Sequence, residues 1–488
     1  MSSKAYERFQ QGIALEKEAQ FRKARVIYED IFDHATDETV IEKVWRRIED
    51  MDDLIAEKVI YRRIDENAKR VLTEIGINIT GNQSLMNLLM DADGVDLDNE
   101  AALFIPLKRE YIDRCLEMAP RDMPGNPGMN AFGTGAAPPF LKRVGDDNLR
   151  PASREEYEKI ILAVSEQQDM VGIFSQPVAC DRRTSLFEVA QLMEKSYHGL
   201  KMITTHTMSD DDVLFLKGKS DWLDGTSMMA FLAPMNNMVG PFLRSARTGN
   251  NLLLVDQSIG GLSAPASPES FLTFVHAQVI FMIVVAQTVN PGILCIHCGI
   301  PSVFGADGNI SYSSPHQTFI NAAMARVNTW ITGFPSAQTG GSTSLSEVTA
   351  QALKESELSR NAMRKYGVHI LRHAMGALGS LNFFSLEKFM EDCEREKHSR
   401  RVFESMPKDI GVIPMYFPAD DQALAGIREI AEKGNPRNAD HTLKNVGSFL
   451  LWGERINQAA RKKQYFPQLN DIVLDSVNYN GKAALGCQ

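Results

Sequence analysis

The chain has 488 residues, with 52 Lys+Arg against 62 Asp+Glu for a formal net charge of −10, and is 44% hydrophobic and 23% charged. These globular proportions exclude a wholly disordered chain. The acidic balance argues against general nucleic-acid binding and against docking on an anionic membrane surface.

Cys115, Cys180, Cys295, Cys298, Cys393 and Cys487 are scattered, which makes no disulfide framework and fits a reducing compartment. The opening residues Met1 to Arg8 lack the apolar stretch of a secretory leader. The longest apolar run, 279–289, is interrupted by Gln287 and falls short of the ~20 residues that a membrane helix needs. A cytoplasmic protein without a membrane span is expected.

Residues 4–75 read as helix, with apolar positions at three- and four-residue spacing (Phe9, Ile13; Val40, Val44, Ile48) and Thr36-Asp37 as an N-cap. The segment 1–54 is taken as a helical extension that docks or oligomerises, with a homo-oligomer as the expected assembly. Residues 55–130 form a helical entry segment, in which Gly76 ends a helix and 120–128 is a Pro/Gly/Asn loop.

From about residue 130 short β-type runs alternate with longer helical ones. Strands are expected over 171–174, 201–205, 227–232, 251–255, 292–296, 335–337 and 368–370. Helices are expected over 154–167, 186–197, 268–288, 315–331 and 347–366. This alternation predicts parallel βαβ units. About eight units over 131–400 predict an α/β fold, a (β/α)8 barrel. An open doubly wound sheet is the weaker alternative, because no G-x-G-x-x-G follows an early strand. Residues 401–488 read as a C-terminal helical elaboration, with a helix near 439–463.

In a parallel barrel, chemistry gathers where strands end. Four loops there are rich in glycine or polar residues: Phe132-Gly133-Thr134-Gly135, Phe174-Ser175-Gln176-Pro177, Gly260-Gly261-Leu262-Ser263 and Gly340-Gly341-Ser342-Thr343. Gly260, Gly261, Gly340 and Gly341 are candidate cofactor-binding positions, since glycine lets backbone approach a ligand and can cradle anionic groups. Phe132, Phe174, Tyr312 and Phe384 are candidates for an aromatic cage around a cation, although core packing explains any one of them more simply. Among the histidines, His373 stands out, in a small-residue segment just past a strand. Cys295-Ile296-His297-Cys298 invites zinc, but on a strand Cys298 points away from Cys295 and His297. No metal site is expected.

The ordered set of strand-end sequences resembles the trimethylamine methyltransferase family. The matching stretches are 260–299 with Ala286-Gln287-Thr288-Val289-Asn290-Pro291-Gly292, together with Phe132-Gly133-Thr134-Gly135, Phe174-Ser175-Gln176-Pro177-Val178, Asn321-Ala322-Ala323 and Phe384-Ser385-Leu386-Glu387. The resemblance runs from about 55 to 480, with the first 50 residues or so as an addition. It implies a (β/α)8 barrel that moves a methyl group from a methylamine to the cobalt of a separate corrinoid protein, so cobalamin is the implied cofactor and that protein the implied partner.

The departures are informative. Founding members carry pyrrolysine where an ungapped reading of 335–352 puts Ser342, and Gln278 replaces a nearby family glutamate. The resemblance therefore implies the non-pyrrolysine branch, which acts on glycine betaine or a related quaternary amine. His373 matches a histidine of that branch. His373 and Gln278 are the candidate catalytic residues, and Phe132, Phe174, Tyr312, Ser342 and Phe384 the candidate substrate-binding residues. A zinc-dependent corrinoid methyltransferase for methanol, thiol or methoxyl substrates, or a non-catalytic barrel scaffold, are the alternatives.

Overall fold

The computed structural model describes residues 3–95, 103–123, 131–134, 137–305, 310–312, 314–405, 411–415 and 417–433. The helix expected near 439–463 lies outside the described residues.

The chain opens with helices α1 (Ser3–Lys17), α2 (Phe21–His34) and α3 (Glu38–Arg70). Asp37 caps α3 by accepting from the amides of Thr39 and Val40 at 2.9 and 3.3 Å, as the sequence predicts. Phe9, Tyr28, Val44 and Met51 belong to a small apolar cluster that these helices share. The expected division at 54/55 falls inside α3, which runs on without a break and packs along the helix Pro268–Val289. Gly76 ends this unit at φ +87°, where a Cβ would stand 2.5 Å from the carbonyl carbon of Ile105.

Among the strands that follow, eight build the central ring: β1 (Ala131–Phe132), β2 (Ile173–Ser175), β3 (Leu200–Ile203), β4 (Trp222–Thr226), β5 (Leu252–Asp256), β6 (Cys295–Gly299), β7 (Ala337–Thr339) and β8 (Ile370–Arg372). Parallel pairing links β2 through β6 in one run and β7, β8 and β1 in another. The parallel bridges Gly133↔Ile173 and His297↔Ser336 join the two runs into a ring. A helix follows each strand, from Arg154–Glu166 after β1 to Leu386–Ser405 after β8. The expected (β/α)8 barrel is therefore present. β1 is an addition to the expected strands; the place in the ring expected of 227–232 is taken by β4, and within that range only the short hairpin strand Met229–Ala230 forms.

Strand alternation sorts the core into two layers. Ile173, Met202, Leu223, Leu253, Ile296 and Ile370 fill the barrel interior. Phe174, Ile203, Trp222, Leu254 and Leu371 face outward into the helix layer. The helix Pro268–Val289 is long and apolar enough by length and composition to cross a membrane, which the short run at 279–289 does not suggest. Most of it is buried inside the protein, beneath α3.

A buried ion pair ties the helical segment to the barrel. Arg326 donates to Glu57 of α3, and both side chains are nearly fully buried. Glu57 also accepts from the Tyr61 hydroxyl and from the Met415 amide.

Candidate active site

The C-terminal ends of β5 to β8 bring together side chains from distant stretches of the sequence. His373 follows β8 directly and is 2% exposed. Its backbone is left-handed, at φ +58°, a conformation that non-glycine residues adopt at a cost. Its Nδ1 lies 3.0 Å from the Thr339 hydroxyl at the end of β7, and its ring stands edge-on to Tyr312 at 6.1 Å. Gln257, just past β5, donates to the Tyr312 hydroxyl. Burial, reinforced by the positive charge of Arg372, pushes His373 well below the usual histidine pKa, so the imidazole is neutral. Nε2 of His373 has no partner among the described residues.

The loop that carries His373 is held from below. Arg360 donates to the Ala374 carbonyl at 2.8 Å and to Asp392 at 2.9 Å, Asp392 accepts from the Gly376 amide at 2.9 Å, and Lys388 bonds Asp392 at 2.6 Å. From the other side the amides of Ala374 and Met375 donate to the Gly133 carbonyl. The sequence reading missed this support; Lys388 and Asp392 sit four apart on one helix and Arg360 on another, which in sequence resembles ordinary charged surface.

Ser342 lies fully buried in the neighbouring loop with an unpartnered hydroxyl. Gly341 explains the closeness of the two loops. At φ +87° a Cβ there would meet the Ala374 carbonyl at 2.5 Å and Arg360 at 2.6 Å. Gly340 packs against Leu371 and Met363, and Gly260 and Gly261 build a tight turn closed by bonds to Ser302 and Ala264. In the free protein these glycines serve the packing of loops.

The other predicted residues sit elsewhere. Phe174 faces the helix layer, with its ring 5.4 Å from Tyr197. Phe384 is core, packed on Phe389 and under Gly376. Phe132 ends β1 opposite Leu371, and its side chain lies outside the described residues. Gln278 lies in the layer between helix and barrel. It donates to Asp256 at 2.5 Å and to Ser258 at 3.0 Å, and accepts from the Leu232 amide at 3.0 Å. Burial pushes Asp256 up to about 7 despite its bonds to Ser258. Of the predicted set, His373, Tyr312 and Ser342 are the residues placed at the mouth.

The cysteines divide as strand geometry requires. Cys298 faces the interior beside Arg372, whereas Cys295 meets Gln287 on the outside. His297 also points outward, into a buried chain with His276 at 2.9 Å, which in turn reaches Asp65 at 3.1 Å. Among the described residues no group of three potential ligands is gathered around a metal position.

The family model for trimethylamine methyltransferase matches residues 22–456. The chain belongs to the trimethylamine methyltransferase family. The matched span begins within the segment expected to be an extension. A glycine betaine methyltransferase of Desulfitobacterium hafniense (strain Y51) is 24% identical over 413 residues, covering 79% of this chain and 82% of that protein. Two solved structures of the Methanosarcina barkeri monomethylamine methyltransferase type are also similar. One is a hydroxylamine complex (TM-score 0.43, 9% identity, 84% of this chain and 93% of that one). The other has a TM-score of 0.42 at 9% identity, covering 87% of this chain and 93% of that one.

Proposed function

We infer that this protein transfers a methyl group from a quaternary amine, with glycine betaine the first candidate, to the cob(I)alamin of a separate corrinoid protein. The family and the glycine betaine relative support a methyltransferase for quaternary amines. The observation that carries the reading in this chain is the neutral, buried His373 beside Tyr312. A tertiary amine needs added positive charge before it can lose a methyl group, and a neutral imidazole and the Ser342 hydroxyl do not supply it. A quaternary ammonium already carries that charge and departs as a neutral amine, so no proton is required.

The corrinoid supplies a cobalt nucleophile that accepts the methyl group. The residues of this chain have the remaining work: to exclude water and hold the N–CH3 bond in line with the acceptor. The unpartnered Nε2 of His373 and Oγ of Ser342 fit a polar ligand at the mouth. In this reading His373 orients the donor, and Tyr312 offers an aromatic wall to its ammonium group.

The test follows the released amine. With glycine betaine and cob(I)alamin, dimethylglycine forms in step with loss of cob(I)alamin. A lack of any tertiary amine from a panel of quaternary amines overturns the reading. Stoichiometric bound zinc, lost in Cys295→Ala, would favour the zinc-dependent alternative.

A further inference from the structure

Arg372 ends β8, one residue before His373. It shares a strand face with Ile370, which belongs to the interior of the barrel. Its guanidinium therefore enters the barrel, and Nη1 lies 3.4 Å from Sγ of Cys298 on β6. The residue is 6% exposed. Cys298 is a poor partner for it. Sulfur is a weak acceptor, and burial pushes the thiol up in pKa, which keeps it neutral.

Nε of Arg372 has no partner, and the guanidinium forms no ion pair among the described residues. The other deeply buried guanidiniums differ: Arg326 faces Glu57, and Arg360 faces Asp392. Of the inward-facing residues at the same end, Ser175, Val255, Cys298 and Thr339 bring no carboxylate.

A guanidinium keeps its proton under all ordinary conditions, so among the described residues Arg372 is a buried charge without a counter-ion. That is costly in the free protein. It is also unfavourable for a substrate that is only a cation, because like charges repel strongly where water is excluded. Both difficulties disappear if the substrate brings its own anion. A carboxylate can take two parallel N–H bonds from a guanidinium.

We propose that Arg372 anchors a carboxylate on the methyl donor, which makes the substrate a zwitterion held by its acidic end. This rests on the quaternary-amine reading above and assigns a residue to substrate selection. A carboxylate seated on Arg372 lies inside the barrel. The ammonium methyl groups then point outward past Tyr312 and His373, toward a protein-borne acceptor.

The test uses 3,3-dimethylbutanoate, which has the shape of glycine betaine but carries carbon in place of the ammonium nitrogen. Its binding to the full-length protein is measured by calorimetry, for wild type and for Arg372→Met and Arg372→Lys. Wild type binds it. Arg372→Met weakens binding about 100-fold or more, and Arg372→Lys by less. Thermal stability of Arg372→Met is unchanged or raised, because a lone buried charge has been removed. Choline, which lacks the carboxylate, is a poor methyl donor for wild type, and Arg372→Met improves it relative to glycine betaine.

Equal use of choline and glycine betaine by wild type overturns the anchor while leaving methyl transfer standing. So does unchanged binding of 3,3-dimethylbutanoate in a folded Arg372→Met. Tighter binding of inorganic phosphate than of the carboxylate also overturns it. Loss of carboxylate binding in Arg372→Met without methyl transfer from any quaternary amine keeps the anchor and overturns the methyl-transfer reading.

Discussion

The Thr339 hydroxyl, at the end of β7, lies 3.0 Å from Nδ1 of His373, just past β8. This contact fixes the imidazole from one side and leaves Nε2 as its free nitrogen. Thr339→Val removes one hydrogen bond, worth about 1 kcal/mol, and slows methyl transfer roughly 5-fold. His373→Ala removes the group itself and slows transfer about 100-fold, a typical loss for one preorganised polar group. Both are measured as kcat and KM at a temperature where each variant is folded. Full activity in His373→Ala contradicts the assignment.

Gln278 joins the helix Pro268–Val289 to the end of β5 and to the Leu232 amide. Gln278→Leu strips partners from Asp256, Ser258 and Leu232 at once. Each buried group left without a partner costs about 1–3 kcal/mol. The expected outcome in chemical denaturation is a loss of roughly 3 kcal/mol or more, with KM for the donor changed little in the protein that remains folded. A large rise in KM at full stability would return Gln278 to the substrate site.

The contact between Arg326 and Glu57 fastens α3 to the barrel, with Tyr61 and Met415 as further partners of Glu57. Arg326→Met leaves a carboxylate buried without its cation and destabilises by about 3–5 kcal/mol. Adding Glu57→Gln recovers much of that loss. If the two losses simply add, the residues are not coupled.

Stability depends on pH through buried histidines. Burial holds His297 and His373 well below the usual value and brings His316 down to about 4. Unfolded histidine takes up its proton near 6.5. The stability these groups contribute is therefore complete above that pH and is lost as pH falls below it. Asp256 acts in the opposite sense. Raised to about 7, it contributes stability below the ordinary carboxylate value, and that is lost as pH rises toward 7. Each proton taken up only by the unfolded chain is worth about 1.4 kcal/mol per pH unit. His369 is lowered as well and Glu16 and Asp224 are raised, so four histidines oppose three acids and the net effect between pH 6 and 4.5 is a loss of stability as pH falls. Denaturant titrations across that range check the slope, and a flat profile contradicts it.

The barrel was legible because buried parallel strands are continuous apolar runs between amphipathic helices. Leu252–Asp256 fits that pattern, whereas the apolar run 292–296 sets the next strand three residues before Cys295–Gly299, where His297 interrupts the apolar sequence. Trp222–Thr226 does not fit it, because Asp224 and Gly225 look like a turn. In the fold Asp224 faces outward and accepts from Thr205 and Ser245, and Gly225 makes room for Met202. β1 is too short to leave a pattern. At the site, His373, Tyr312 and Ser342 could be chosen from their loops. Phe174 and Phe384 could not be told from a cage by type alone, since a strand residue one position further on faces the opposite layer. Thr339, Gln257 and Arg372 carry no local signal; only the closing of the ring brings them to one place.

The most direct measurement is methylation of cob(I)alamin by the full-length protein with a panel of betaines, other quaternary amines and trimethylamine, followed by absorbance. Methylated cobalamin is expected with glycine betaine or a related betaine, little with trimethylamine, and a roughly 100-fold slower rate in His373→Ala. No methylation with any quaternary amine, or equal rates in His373→Ala, would contradict this expectation.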